Sequence, residues 1–241
     1  MTSDDSLAAR FPDGGTAVVI GATGGIGGAF VAALERDERF ARVVGLGRRT
    51  DPPLDLTDEG SIVRVAASLA EIGPPPRLVI DATGFLHGDG DGPEKSLRDL
   101  DARRLARAFA LNAIGPALLM KHLLPLLPRD GKSVFATLSA RVGSIGANRL
   151  GGWYGYRASK AALNQLVRTA AIELARKHRE AICVALHPGT VATSLSAPFA
   201  KDGTSVRSPA EAAQALLSVL DGLTAADTGG FLDHAGRPIP W

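Results

Sequence analysis

Residues 20–30 read IGATGGIGGAF, and the fold turns on this stretch. It follows the β-branched run TAVVI (16–20) and leads into an amphipathic stretch near 26–37, so a glycine-rich turn stands between a short strand and a helix. Glycines there let the chain turn tightly and bring backbone close to a phosphate. The free N–H groups and positive end of the following helix then receive the anion. Two spacings are present: Gly21, Gly25 and Gly27 form G-x-x-x-G-x-G, while Gly21, Gly24 and Gly27 form G-x-x-G-x-x-G. Either seats a nucleotide pyrophosphate.

Working outward, strands and helices alternate. ARVVGL (41–46) is the second strand, and an extended piece surrounds PPLDL (52–56). Ile62, Val65, Ala66 and Leu69 recur at helical intervals within 58–71, and PPP (74–76) ends that helix before the strand RLVID (77–81). A long helical stretch from about 97 to 125 precedes the strand KSVFATL (132–138), and a second runs from about Gly155 to His178. AICVALH (181–187), the helix AEAAQALLSVL (210–220) and GGFLD (229–233) complete the series. Apolar strands alternating with helices predict an α/β Rossmann-type fold: a doubly wound parallel sheet of about seven strands with helices on both faces. No linker divides the chain, so residues 1–241 read as one domain, with 1–13 a loose N-terminal arm and 194–209 a mobile substrate loop.

Composition excludes several classes. The chain is 45% hydrophobic and 22% charged with a formal charge of +2, which supports a full core and argues against a broad nucleic-acid-binding face. Cys183 is the only cysteine, so an intrachain disulfide and a cysteine-rich metal site are excluded, and the five histidines lack metal-ligand spacing. No metal is expected. The start MTSDDSLAARF has no apolar signal-peptide segment, and no apolar run approaches the roughly 20 residues of a membrane span. These features predict a cytoplasmic protein.

The residues beyond the strand C-termini carry the chemistry, because ligands of such sheets bind there. The second strand ends VVGLGRRT, with Gly47 where an NAD-binding carboxylate commonly stands and Arg48-Arg49 next. A carboxylate repels a 2′-phosphate and a guanidinium binds one, so NADP(H) is expected in preference to NAD(H). Asp55 and Leu56 fall where an acid and an apolar residue flank an adenine ring. In SARVGSIGANRLGGWYGYRASKAALNQL (139–166), Tyr156 and Lys160 lie four apart and share one helix face. A nearby ammonium favours phenolate, so the tyrosine is expected to exchange protons near neutral pH, with Ser139 or Ser144 bonding the reacting oxygen.

These motifs, GATGGIG (21–27), LDL (54–56), DATG (81–84), LNAIGP (111–116), YRASK (156–160) and HPGTVAT (187–193), resemble the short-chain dehydrogenase/reductase family over about residues 14–233. GSIGANRLGGWYGYRASKAALN and GGFLDHAGRPIPW resemble its C-factor-like and sniffer-type carbonyl reductase branch. The resemblance implies hydride transfer between nicotinamide and a carbonyl or alcohol. It makes Tyr156 the acid/base, and gives Lys160 the tasks of lowering the tyrosine pKa and holding the nicotinamide ribose. Ser139 is the substrate-oxygen ligand, and Asn112 holds a relay water. Gly21, Thr23, Gly25, Ile26 and Gly27 surround the pyrophosphate, and Ala82, Thr83 and Gly84 line the cofactor. Pro188, Gly189, Val191 and Thr193 shape the nicotinamide pocket. Gly21, Gly25 and Gly27 are then the operative glycines, because only about 50 residues follow His187, too few for the extended branch that uses the other spacing. Asp81 stands where the family has asparagine, and is expected to bond neighbouring backbone and join strands. Ala140 takes the usual serine position. A homodimer or homotetramer paired through the two long helices is implied. The other reading is a nucleotide-binding regulatory or signalling protein with vestigial activity, motivated by the C-factor likeness.

Overall fold

The computed structural model describes residues 10–88, 92–199 and 206–241. One parallel sheet runs through it, built from β1 (Gly15–Ile20), β2 (Phe40–Leu46), β3 (Pro76–Asp81), β4 (Ser133–Leu138), β5 (Ala181–His187) and β6 (Phe231–Asp233) in the order β2-β1-β3-β4-β5-β6. Every neighbouring pair is parallel. Strand order reverses between β1 and β3, and the crevice at that switch is where such sheets bind ligands.

Period-two alternation sends β1 side chains to opposite faces. Val18 and Ile20 join one buried cluster, Ala17 and Val19 the other. The first face is covered by α2 (Glu59–Ile72), α4 (Gly115–Leu123) and α5 (Tyr154–Ala175), which contribute Ile62, Leu119, Leu163 and Val167. The second carries α1 (Gly25–Leu34) and α6 (Pro209–Gly222), through Phe30, Leu34, Leu216 and Leu220. Both faces are sealed, as the apolar strands require.

Three details differ from the sequence reading. The sheet has six strands, because 52–56 forms no ladder: Pro52 and Pro53 have no N–H, and Leu54 N donates instead to Gly47 O at 3.0 Å. Leu54 and Leu56 nonetheless bury in the core. The long helix of 97–125 is segmented. Asp101 caps α3 (Ala102–Phe109), and a π-helical turn, Ala110–Ile114, separates α3 from α4. Pro116 has no N–H to return to the carbonyl of residue 112, which removes one α-helical bond at that turn. The whole segment Ala102–Leu126 is long and apolar enough to cross a membrane by length and composition; its apolar residues Ala113, Leu119, Met120 and Leu123 are buried in this fold. Finally, Phe11 is 3% exposed and packs on Phe40 with ring centroids 5.5 Å apart, so the expected loose arm does not extend to it. Residues 1–9 lie outside the described residues, as do 200–205 of the substrate loop.

Asp81 latches the switch point, as expected. It is fully buried; one oxygen accepts from Thr83 N (3.0 Å) and Thr83 Oγ1 (2.6 Å), the other from Thr137 Oγ1 (2.7 Å), its cross-strand neighbour on β4. Asp81→Ala strands these donors, so urea unfolding is expected to show a stability loss of about 1–3 kcal/mol. An unchanged midpoint would contradict the latch.

Candidate active site

The turn after β1 is built by close backbone approach. Gly21 has φ +82°, and Gly24 N donates to Gly21 O at 2.9 Å. A Cβ at Gly27 would overlap the Gly21 carbonyl, and one at Gly25 would lie 2.9 Å from Thr193 Cγ2. Gly24 has an ordinary φ of −85° as the residue capping α1, so Gly21, Gly25 and Gly27 are the sterically demanding set. Thr193 thereby stands at the N-terminus of α1. Gly189 (φ +80°) turns the chain after Pro188, and Val191 is buried beside it with 4% exposure.

A groove of about 660 Å³ runs from this turn across the switch point, lined by Gly21, Thr23, Arg48, Asp55, Leu56, Ala82, Thr83 and Gly84 among others. Gly24 and Gly47 line it too, as do Thr57 and Leu111, which were not singled out in the sequence. Arg48 lines the groove; Arg49, the next residue of the same turn, does not. The turn is clamped by Thr50, whose Oγ1 accepts from Gly47 N (3.0 Å) and donates to Gly47 O (2.7 Å). Asp55 accepts from Thr57 N (2.8 Å) and Thr57 Oγ1 (2.7 Å); these bonds, aided by the charge of Arg48, hold its carboxyl below the usual range. The groove's form fits a dinucleotide: a bare glycine cradle at a helix N-terminus, then a cation and a carboxylate at its far end.

At the other end of the groove stands α5. Trp153, just before it, is the one non-glycine residue at positive φ (+53°) among the described residues, following Gly151 and Gly152 at +63° and +65°. That conformation costs on the order of 1–3 kcal/mol. It is held by the Trp153 N–H on Glu94 O (2.5 Å), while Glu94 Oε2 accepts from Gly155 N (3.1 Å) in the first turn of α5. Glu94 is 5% exposed and 61 positions from Gly155, so no local pattern signals its role. Trp153 packs edge-on against Tyr156 and Phe199, and Phe199 against His87.

Tyr156 lines a cavity of about 430 Å³ with Phe85, His87, Glu94, Arg107 and Ala108. Phe85, His87, Gly88 and Arg107 line this cavity and the nucleotide groove alike, so the two are contiguous. Lys160, one turn beyond Tyr156, is 2% exposed and donates to Leu138 O at 2.7 Å. A Cβ on Gly84 would lie 3.9 Å from its Nζ, which brings the groove floor to the lysine.

Burial dominates both groups. It pushes the phenol up to about 12 and the ammonium down to about 8, the latter against the opposing pull of Asp81. The expected lowering of the tyrosine by the lysine is therefore not what this geometry produces. The ammonium is turned to a strand carbonyl, and desolvation of the phenol prevails.

Asn112, fully buried in the π turn, accepts from Phe85 N (2.7 Å) and donates to Phe85 O (2.7 Å) and Ser159 Oγ (3.1 Å). Its side chain joins the loop after β3 to α5. The serines are bonded to other partners. Ser139 Oγ donates to Asn164 Oδ1 at 2.6 Å, two helical turns beyond Tyr156 on α5. Ser144 Oγ accepts from Ala147 N (3.0 Å) and donates to Trp241 O (3.4 Å).

Known proteins resemble this chain in sequence and fold. Residues 20–232 match the family described as enoyl-(acyl carrier protein) reductase. The C-signal protein of Myxococcus xanthus is 37% identical over 146 residues, 61% of this chain and 84% of its own. A 1-hydroxy-2-glutathionyl-2-methyl-3-butene dehydrogenase of Rhodococcus sp. (strain AD45) is 31% identical over 201 residues, covering 83% of this chain and 84% of that protein. The NADPH-bound carbonyl reductase from chicken fatty liver superposes with a TM-score of 0.82 at 27% identity, covering 95% of this chain and all of that one. The match runs from the glycine turn through Tyr156 and Lys160 to β6, and the chain belongs to the short-chain dehydrogenase/reductase family.

Proposed function

We propose that this oxidoreductase is an NADPH-dependent carbonyl reductase, moving hydride between nicotinamide and a small carbonyl or alcohol substrate, with Tyr156 handling the oxygen's proton. One observation carries the reading: Tyr156 lines a cavity contiguous with a dinucleotide-shaped groove. The NADPH bound to the chicken carbonyl reductase supports the cofactor.

When bound, NADPH supplies the hydride. Gly21, Thr23, Gly25, Ile26 and Gly27 would hold its pyrophosphate at the N-terminus of α1, and Arg48 its 2′-phosphate. Asp55 and Leu56 would flank the adenine, with Ala82, Thr83 and Gly84 along the ribose. Tyr156 and Lys160 would meet the nicotinamide ribose, and Pro188, Gly189, Val191 and Thr193 would wall the ring. A phenol held near 12 is protonated at neutral pH, which suits it to donate to the carbonyl oxygen during reduction. Lys160 presents its charge beside the ribose and loses it near pH 8. Asn112, with its amide spent on Phe85 and Ser159, serves by holding the two walls of the cavity together. Ser139 serves the substrate oxygen by exchanging its bond to Asn164 for one to substrate. The same reading makes the protein a cytoplasmic homodimer or homotetramer, paired through the exposed Ile114, Leu166 and Ile172 of the long helices.

Purified protein with NADPH and a panel of aldehydes, ketones and quinones tests this. Tyr156→Phe is expected to lower kcat by about a hundredfold or more; a variant as fast as the parent ends the assignment. Lys160 is charged below about pH 8, so kcat is expected to hold steady below that pH and fall above it, with Lys160→Arg moving the fall upward. Ser139→Ala is expected to slow turnover more than Ser144→Ala, and the reverse order transfers the role to Ser144. For the cofactor, Arg48→Ala is expected to weaken NADPH by about ten- to hundredfold with NADH little changed. Arg49→Ala should do neither.

A further inference from the structure

The C-terminal GGFLDHAGRPIPW has no part in the chemistry above, yet it is built against the catalytic loop. After β6 the chain reverses: Asp233 N donates to Arg237 O (2.9 Å), Leu232 bridges Pro238 in antiparallel fashion, and Ile239 N returns to Phe231 O (2.8 Å). Ile239 is 4% exposed in the core, and the Trp241 indole stacks on Phe231 with centroids 5.8 Å apart at 24°. The turn is organised by Asp233, itself 1% exposed. Burial opposes its charge, but the Ala235 and Arg237 N–H groups and the Arg237 guanidinium bring its pKa to about 2.

This hairpin grips the loop between β4 and α5 at two points. Arg141 Nη2 reaches Asp233 Oδ2 at 3.3 Å. Five residues on, Gly146 N donates to Trp241 O at 2.7 Å, and Ser144 Oγ adds a longer bond to the same oxygen. A Cβ at Gly146 would stand 3.0 Å from that oxygen, so the approach is close. Between the two grips the loop presses on the catalytic helix. A Cβ at Gly143 would lie 2.9 Å from both the main-chain carbon and the Cβ of Lys160. The turn Arg141–Gly143 is therefore packed on the main chain of α5 at Lys160 and Ala161. On its other flank the hairpin touches the nicotinamide-side loop, where a Cβ on Gly189 would lie 3.3 Å from His234 Nδ1.

Building on the reductase reading, we propose that the hairpin 231–241 is a clasp, with Trp241 and Asp233 as positioning residues that hold the loop 141–146 against the main chain of α5 at Lys160 and so fix where that helix presents Tyr156 and Lys160. The clasp touches no reacting atom. It acts through the close contact at Gly143, and its release lets α5 shift there.

The test compares the parent with a chain lacking Pro240 and Trp241, with Arg141→Gln, which cuts the other grip, and with Trp241→Phe, which keeps both the stacking and the main-chain oxygen. Hydrogen exchange of the amides of residues 144–147, NADPH binding, Tm and kcat are measured for each. The clasp predicts faster exchange at 144–147 in the shortened chain, a kcat lower by on the order of tenfold or more, and NADPH affinity near the parent's. Arg141→Gln should share the loss of kcat at near-parental NADPH affinity, whereas Trp241→Phe should keep the parental kcat. Parental kcat in both cut variants would overturn it. So would unchanged exchange, or a loss that Trp241→Phe shares together with a drop in Tm, which marks plain structural support. A parent with no turnover on any substrate refutes the reductase reading, not the clasp, and the exchange rates then decide the clasp alone.

Discussion

The ammonium of Lys160 donates to the carbonyl of Leu138, the last residue of β4, with 2% of the lysine exposed. Taking a charge from water costs several kcal/mol, and here one carbonyl and the more distant charge of Asp81 offset only part of that. The deficit pushes the ammonium down to about 8. Because the bond runs from helix to strand end, α5 cannot turn about its axis without dragging the lysine out of its contact. Tyr156, one turn earlier, is held by the same bond on the wall of the cavity.

The rest of the site depends on places where a glycine lets another group close on the backbone. Gly27 lies against the Gly21 carbonyl, Gly143 against Lys160, and Gly155 against the Glu94 carboxylate, 3.0 Å from a Cβ at that position. Each contact is denied to a larger residue. Strain is tolerated at one of these junctions. Trp153 takes a left-handed conformation, and Glu94, through its carbonyl and its carboxylate, accepts from both the strained residue and the helix that follows. The outlier lies beside the phenol, where the indole meets the ring edge-on.

Much of this was legible in the chain. Strand and helix alternation gave the layered sheet, and a glycine turn between a strand and a helix gave the nucleotide end. Spacing put Tyr156 and Lys160 on one face. Elsewhere local reading fell short for identifiable reasons. PPLDL has the apolar residues of a strand, but its prolines cannot donate to a ladder, and the leucines bury without one. The helix of 97–125 reads as continuous because periodicity does not register a missing N–H at Pro116. Arg48 and Arg49 are identical as residues, and only the turn clamped by Thr50 distinguishes the one that faces the groove.

By itself, the order of residues determined what depends on neighbours: which segments are strands or helices, where the chain must turn tightly, and which side chains share a helix face. These follow from periodicity, glycine freedom and the pitch of the α-helix, all acting over a few residues. Tertiary structure alone decided the partners of the polar groups. Ser139 bonds Asn164, Ser144 leans on Trp241, Glu94 caps α5, and Lys160 turns to a strand carbonyl in place of the tyrosine. Hydrogen-bond partners and desolvation are set by whatever packs across the gap, and residues far apart in the chain meet there only once the sheet has formed.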